Sequence, residues 1–277
     1  MSHPAIKQGG TAVITGGSSG IGYAAAKKFA AEGMNVVIAD LDEKSLEVAS
    51  TELGENVLTV CTDVSILSEV EALRDAVMNR YGGLTILMNN AGTAGGGGPF
   101  DGYQGWQKVL SVNLWGVVHG LQTFTQLMID QGEHCAIINT GSKQGITNPP
   151  GDAAYNVSKA GVKTLTESLA YQLRNIESSL ITAHLLVPGY TYTGLTKQRT
   201  EKKPDAAWEP EQVIDYMLKK MDANAFYIIC PDNDVSEALD NARMLWHMQD
   251  MVDGRPALSR WHEDYKADFL AFTKKFT

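Results

Sequence analysis

The feature that most constrains this chain is an alternation. Short runs rich in β-branched and apolar residues are separated by longer stretches of helical period, from near the start to about residue 230. The runs are Ala12-Val13-Ile14, Val36-Val37-Ile38-Ala39, Val57-Leu58-Thr59-Val60, Thr85-Ile86-Leu87-Met88, Ala136-Ile137-Ile138, 181–187 and 226–229. Between them, helices are expected over 20–31, 43–52, 66–80, one long segment near 106–129, then 153–176 and 210–221. Runs this short and continuously apolar suit strands buried on both faces, and parallel neighbours need a crossover of a dozen or more residues, which each helix supplies. The expectation is an α/β fold: a doubly wound, seven-stranded parallel sheet with helices on both faces.

No linker or repeat breaks that rhythm, so residues 1–277 are expected to form a single domain. Two loops depart from it, the glycine-rich 93–102 and the polar, aromatic 190–208. Both follow expected strands, where an open α/β sheet binds its ligands, so both are candidate pocket walls. Residues 235–277 form a helical C-terminal extension carrying Trp246, Trp261, Tyr265, Phe269 and Phe272.

Charge narrows the partners. With 32 acidic against 23 basic residues and a net charge of −9, no basic stripe is available for a phosphate backbone or an anionic membrane surface. A small-molecule partner is expected, with neither nucleic acid nor membrane. The opening Met-Ser-His-Pro-Ala-Ile-Lys contains no signal-peptide core, and no stretch approaches the ~18 apolar residues of a membrane span, so a cytoplasmic location is expected. Cys61, Cys135 and Cys230 form no CxxC pair and read as small core residues; the six histidines lack ligand spacing, and no metal is expected.

The turn Thr15-Gly16-Gly17-Ser18-Ser19-Gly20-Ile21-Gly22 lies between the first expected strand and the first helix. Glycines let the backbone approach a pyrophosphate, whose charge is met by free N–H groups and the positive end of the helix. Asp40 closes the second strand, where a carboxylate can accept both hydroxyls of an adenosine ribose and would repel a 2′-phosphate. Ser18 and Ser19 bring no cation and Asp40-Leu41-Asp42 brings two anions, so the cofactor expected is NAD rather than NADP. With this turn the fold becomes Rossmann-type.

Tyr155 and Lys159 are four apart on an expected helix and share one face, so an ammonium can sit beside a phenol and favour its ionised form. A tyrosine of pKa about 10 is a poor base near neutrality, and a neighbouring cation brings it closer to the working range. The pair taken alone is also common on ordinary amphipathic helices. Ser142, thirteen residues before Tyr155, shifts the balance.

Taken together, Gly16-x-x-x-Gly20-x-Gly22, Asn89-Asn90-Ala91-Gly92, Asn113, Ser142, Tyr155-Asn156-Val157-Ser158-Lys159 and Pro188-Gly189 resemble the short-chain dehydrogenase/reductase family, in its order, up to about Thr193. The resemblance implies that Tyr155 exchanges a proton with the substrate oxygen and Ser142 hydrogen-bonds that oxygen. It implies that Lys159 holds the nicotinamide ribose and lowers the tyrosine pKa, and that Asn113 fixes a water relaying the proton outward; the alternative for Asn113 is a polar helix residue making a local cap or kink. Asp63 and Val64 would meet adenine, with an N-cap role for Asp63 the alternative. Asn90, Ala91, Gly92, Pro188, Gly189 and Thr193 would line the cofactor cleft, while Asn89 could merely tie strands together. Thr191, also a cofactor candidate, stands where the family more often has an aliphatic residue. NAD-dependent interconversion of a secondary alcohol and a ketone is the activity implied.

Tyr190, Tyr192, Leu195 and Trp208 suggest an apolar, aromatic-lined lid, or else aromatics packed on the lid's own scaffold. Lys143, Gln144 and Asn148 face substrate or solvent. The helices through 106–128 and 153–176 are the family's usual oligomer faces, so a homo-oligomer, tetramer or dimer, is implied; Leu114, Val117, Val118, Leu121 and Phe124 form a stripe that packs first on the sheet. The extension would complete an interface, cap the pocket or cover a sheet end. A catalytically idle NAD-binding module would have no need of Ser142, Tyr155 and Lys159, and a methyltransferase would account for neither those residues nor Asn89-Asn90-Ala91-Gly92.

Overall fold

The computed structural model describes residues 3–54, 57–197 and 202–276. All seven expected runs become strands: β1 (Thr11–Thr15), β2 (Asn35–Asp40), β3 (Val57–Cys61), β4 (Ile86–Asn89), β5 (Cys135–Thr140), β6 (Ile181–Val187) and β7 (Tyr227–Ile229). They form one sheet in the order β3-β2-β1-β4-β5-β6-β7, every pair parallel. The fold is therefore the expected doubly wound, Rossmann-type α/β sheet. The order reverses between β1 and β4, the place where a sheet of this kind opens a crevice beyond the carboxyl ends of its strands.

Period 2 along each strand divides the core into two layers. Ile14, Ile38, Met88, Ile138 and Ile228 face one side, against α1 (Gly20–Ala31), α2 (Glu43–Leu53) and α9 (Pro210–Asp222). Val13, Val37, Leu87, Ile137 and Leu185 face the other, against α3 (Leu67–Tyr81), α5 (Gly116–Gln131) and α7 (Ala153–Arg174).

The long helix expected near 106–129 is three pieces: α4 (Tyr103–Leu110), one π turn over Ser111–Trp115, and α5. A single inserted residue widens the turn without breaking the apolar pattern, so periodicity could not reveal it; such π turns are frequent at functional sites. Asn113 sits at its centre, fully buried. Two short helices, α6 (Gln144–Thr147) and α8 (Gly194–Lys197), had no sequence signal of their own.

The extension folds as α10 (Glu237–Asp253), two 3₁₀ turns and α11 (Lys266–Thr273) around its own small centre. Trp246 is 4% exposed and meets Phe269 and Phe272 edge-on. Its indole N–H donates to Ser259, whose hydroxyl donates to Asp250, and Arg255 lies over the indole at 3.9 Å. One core expectation is corrected: Cys61 is exposed, because it ends the edge strand β3, whereas Cys135 and Cys230 are buried. Burial pushes the latter two thiols up to about 11 and about 12. Among the described residues no helix is long and apolar enough to cross a membrane.

Candidate active site

The glycine turn lies at the crevice, between β1 and α1. The N-cap of α1, Ser19, makes no side-chain cap and the first turn holds no acidic residue, so its free N–H groups and the positive helix end remain available to an anion. At Gly22 a Cβ would lie 2.2 Å from the Gly16 carbonyl oxygen and 2.7 Å from Asn90 Nδ2, so no side chain fits. Asn90 braces the turn from β4: Nδ2 donates to the carbonyls of Thr15 and Gly16 (3.2 Å each), and Oδ1 accepts from the Thr140 hydroxyl at 3.2 Å. Thr15 Oγ1 accepts from the backbone of Asn90 and Ala91. The Asn90 side chain is thus spent on holding the turn. Asn89 joins β4 to β5 through Asn139, which donates on to Thr166 in α7.

Asp40 is fixed beside the turn. Its Oδ2 accepts from the Ser18 hydroxyl at 2.5 Å and backbone at 3.2 Å, while Oδ1 accepts from Leu41 N at 2.8 Å. Thr193 closes over the turn from the far side, since a Cβ built on Gly20 would lie 3.2 Å from its side chain. At the end of β3, Asp63 forms a local turn by accepting from Ser65 N, and Glu69 reaches back to Asp63 N. The N-cap of α3 is Ile66, without a side-chain cap, so neither Asp63 nor Ser65 fills that post. The Val64 carbonyl meets His119 Nδ1 at 2.9 Å, which leaves its amide as the backbone group for a ligand.

The second half of the site is built on α7. Asp152 caps this helix, accepting from Tyr155 N, and its other oxygen accepts from Gly95 N in the glycine-rich loop. Helical spacing brings the Lys159 ammonium to 5.8 Å from the centre of the Tyr155 ring. Lys159 is 4% exposed and donates to the Thr140 carbonyl at 2.8 Å. No carboxylate lies within ion-pair distance of it among the described residues, and burial pulls its pKa down from 10.5 to about 8. Ser142 follows β5, two residues after Thr140, and α6 then presses onto α7: a Cβ on Gly145 would stand 2.4 Å from the Lys159 carbonyl carbon. Only glycine lets the serine loop come this close. Gln144 donates its backbone N–H to Ser142 Oγ.

Asn113 reaches the same place from the π turn. Its Nδ2 donates to the Thr93 carbonyl and Ser158 Oγ, and its Oδ1 accepts from Thr93 N at 2.7 Å. Both amide hydrogens are used, so a relay water cannot be held by them. A Cβ on Gly92 would lie 3.4 Å from Asn113 Oδ1 and 3.7 Å from Lys159 Nζ, so the segments after β4 and β5, the π turn and α7 converge.

Several expected contacts are corrected. Lys143 faces neither substrate nor solvent; it pairs with Asp240 at 2.6 Å and Asp232 at 3.5 Å. Trp208 packs on Tyr216 of α9, 5.9 Å between rings, and belongs to the scaffold rather than the lid surface. Thr191 is buried, bridged in parallel to Trp208, with its hydroxyl on the Gly189 carbonyl. Tyr190 and Leu195 are exposed, and Pro188-Gly189 follow β6 at the crevice, with Tyr190 N donating to Asp232. Within the expected lid, residues 198–201 lie outside the described residues. Sequence reasoning assigned no part to Thr15, Thr140 and Ser158; all three act through backbone carbonyls or local hydroxyls, for which residue type gives no signal.

Comparison with known proteins matches this arrangement. The short chain dehydrogenase family pattern covers residues 10–204. The chain is 33% identical over 198 residues to 3beta-hydroxysteroid dehydrogenase 2 of Eggerthella lenta, covering 70% of this chain and 75% of that protein. It is 33% identical over 208 residues to levodione reductase of Leifsonia aquatica, covering 71% and 76%. A crystal structure of a short chain dehydrogenase/reductase from Burkholderia phymatum in complex with NAD superposes with TM-score 0.81 at 31% identity, over 92% of this chain and 98% of that one.

Proposed function

The chain belongs to the short-chain dehydrogenase family of oxidoreductases, and on that premise we propose that it interconverts a secondary alcohol and a ketone with NAD. The observation that carries this reading is the buried ammonium of Lys159 beside the Tyr155 ring, on the wall of the crevice that begins at the uncapped α1.

The residues present fit a dinucleotide. The helix end and Gly22 would receive the pyrophosphate, Asp40 the adenosine ribose, and Asp63 and the Val64 amide the adenine, while Thr193, which stands against Gly20, would close over the pyrophosphate on its nicotinamide side. When bound, the cofactor supplies the hydride acceptor or donor. Ser18, Ser19, Ile21, Ala91, Gly92, Pro188 and Gly189 would shape the walls. Asn90 and Thr191 would contribute by holding the turn and the loop, since their side chains are already engaged.

In the oxidation direction Tyr155 Oη would take the proton of the substrate O–H, and in the reduction direction it would return that proton to the substrate oxygen. The Lys159 charge stabilises the phenolate that must precede proton uptake, and Ser142 holds the reacting oxygen. Asn113 fixes the loop at Thr93 and the start of α7 at Ser158 through its amide hydrogens, and a relay water would be held by its oxygens, the side-chain Oδ1 or the backbone carbonyl. NAD is favoured over NADP because the Asp40 carboxylate, held beside the turn, would meet a 2′-phosphate, whereas Asp42 is taken up as the N-cap of α2.

For the substrate, Tyr190, Tyr192 and Gln144 would line an apolar pocket suited to a cyclic or aromatic alcohol. The names of the hydroxysteroid and levodione relatives support that class. The test is NADH formation across a panel of cyclic, aromatic and short charged alcohols: a preference for the cyclic or aromatic ones is expected, and a clear preference for short charged ones refutes the substrate class. Function as a dimer or tetramer is part of the same proposal, resting on the family, and sedimentation decides it.

A further inference from the structure

While Gly145 of α6 packs on α7, Lys143, Ile146 and Thr147 line a small cleft of about 40 Å³ between α6 and α10, partly open to solvent. Its other wall carries Asp240 and two guanidinium groups, Arg243 and Arg260. The nearby carboxylates pair with lysine: Asp240 and Asp232 both meet the Lys143 ammonium, and Asp240 attracts the two guanidinium groups from beyond ion-pair distance. Neither arginine forms an ion pair among the described residues, although the sequence holds 32 acidic side chains. The Arg243 Nε is buried and lacks a hydrogen-bond partner. Arg260 is held by stacking on Trp261 at 4.5 Å and Phe269 at 5.2 Å. Burial, and then the Arg243 charge beside it, pull Arg260 down to about 10, so the two cations repel where water screens them poorly.

We propose that the cleft between α6 and α10 is a binding site for a small oxyanion, a phosphate or carboxylate group taken up between Arg243 and Arg260. Guanidinium groups present paired N–H donors that match such anions, and one bound anion would offset the repulsion between the two. Aromatic stacking of Arg260 holds one donor group in place beforehand. The anion could be inorganic phosphate or the acidic end of a small metabolite.

The test is thermal melting of the full chain in rising inorganic phosphate or acetate, against sodium chloride at matched ionic strength, with Arg243→Gln and Arg260→Gln alongside. A saturable rise in Tm beyond the chloride control is expected, at least tenfold weaker in apparent affinity in either variant. A larger response to phosphate assigns a phosphoryl ligand, and a larger response to acetate assigns a carboxylate. Both variants retain the glycine turn, so any phosphate held there gives a rise that survives substitution. No rise beyond chloride, or a rise undiminished in both variants, overturns the proposal. One further measurement guards against misfolding: both variants are expected to keep a cooperative melt without added anion, and Arg260→Lys, which keeps the charge and loses the planar fork, is expected to weaken the response too; an undiminished response in Arg260→Lys overturns the paired-donor geometry.

Discussion

Replacing Lys159 with methionine should disable the site yet relieve the fold. Burial lowers the Lys159 pKa from 10.5 to about 8, and its one hydrogen bond given by the structure goes to the Thr140 carbonyl. At about 1.4 kcal/mol per pKa unit, keeping the ammonium charged at pH 7 costs the folded state roughly 3 kcal/mol. Methionine fills similar space without charge, but leaves the Thr140 carbonyl unmatched at a cost of about 1–3 kcal/mol. The net at pH 7 is therefore between no change and a gain of roughly 2 kcal/mol, a few degrees in Tm for a chain of this size at about 2–4 °C per kcal/mol. The pH dependence is the sharper signature. A lysine depressed on folding imposes its full cost below about pH 8, and the cost fades as pH rises toward 10.5, because only the unfolded chain still binds the proton there. The unmodified chain should thus gain on Lys159→Met by several degrees between pH 7 and pH 10. Circular-dichroism melts of both chains without cofactor read this directly. A variant that melts well below the unmodified chain at pH 7, by a gap constant up to pH 10, would refute the reasoning.

Gly22→Ala places a methyl 2.2 Å from the Gly16 carbonyl and must push the turn open; at about 1–3 kcal/mol for such overpacking, NADH affinity should fall some fivefold to a hundredfold, and an unchanged fluorescence titration would contradict the assigned turn. Asp40 should make kcat/KM with NAD at least tenfold above that with NADP, about 1.4 kcal/mol, with the ratio shrinking in Asp40→Asn; a twofold or smaller difference in the unmodified chain would count against it. His3 is buried against His184 and its pKa is pulled down to about 4, by burial first and the His184 charge second. The unfolded chain therefore binds the extra proton between pH 6.5 and 4, and stability is lost as pH falls through that window. His3→Gln should flatten the fall in Tm between pH 7 and pH 5, and an identical slope in the two proteins would remove His3 from the account.

Much of this architecture was legible because periodicity reports burial. Runs such as Val36-Val37-Ile38-Ala39 are apolar on both faces because helices cover both sides, and that alone implied the parallel sheet. The Tyr155 and Lys159 pairing was legible for a similar reason, since four residues is one helical turn. The π turn at Ser111–Trp115 was not, because one added residue leaves the apolar stripe nearly in place. Lys143 was misread because its partners, Asp232 and Asp240, lie about ninety residues away and nothing local announces them. Trp208 followed a polar loop in sequence yet belongs to the core beside Tyr216, and Cys61 looked internal until β3 proved to be the edge. The Thr140 carbonyl that holds Lys159 is a backbone group, and side-chain identity says nothing about it.

The most direct measurement is single-turnover NADH formation by Tyr155→Phe, paired with NAD binding to the same protein. The proton role assigned to the phenol requires the variant to bind NAD as tightly as the unmodified chain while the chemical step slows by about a hundredfold or more. NADH formed at the unmodified rate would mean that some other group takes the proton, and the site built around Lys159 and Tyr155 would lose its chemistry.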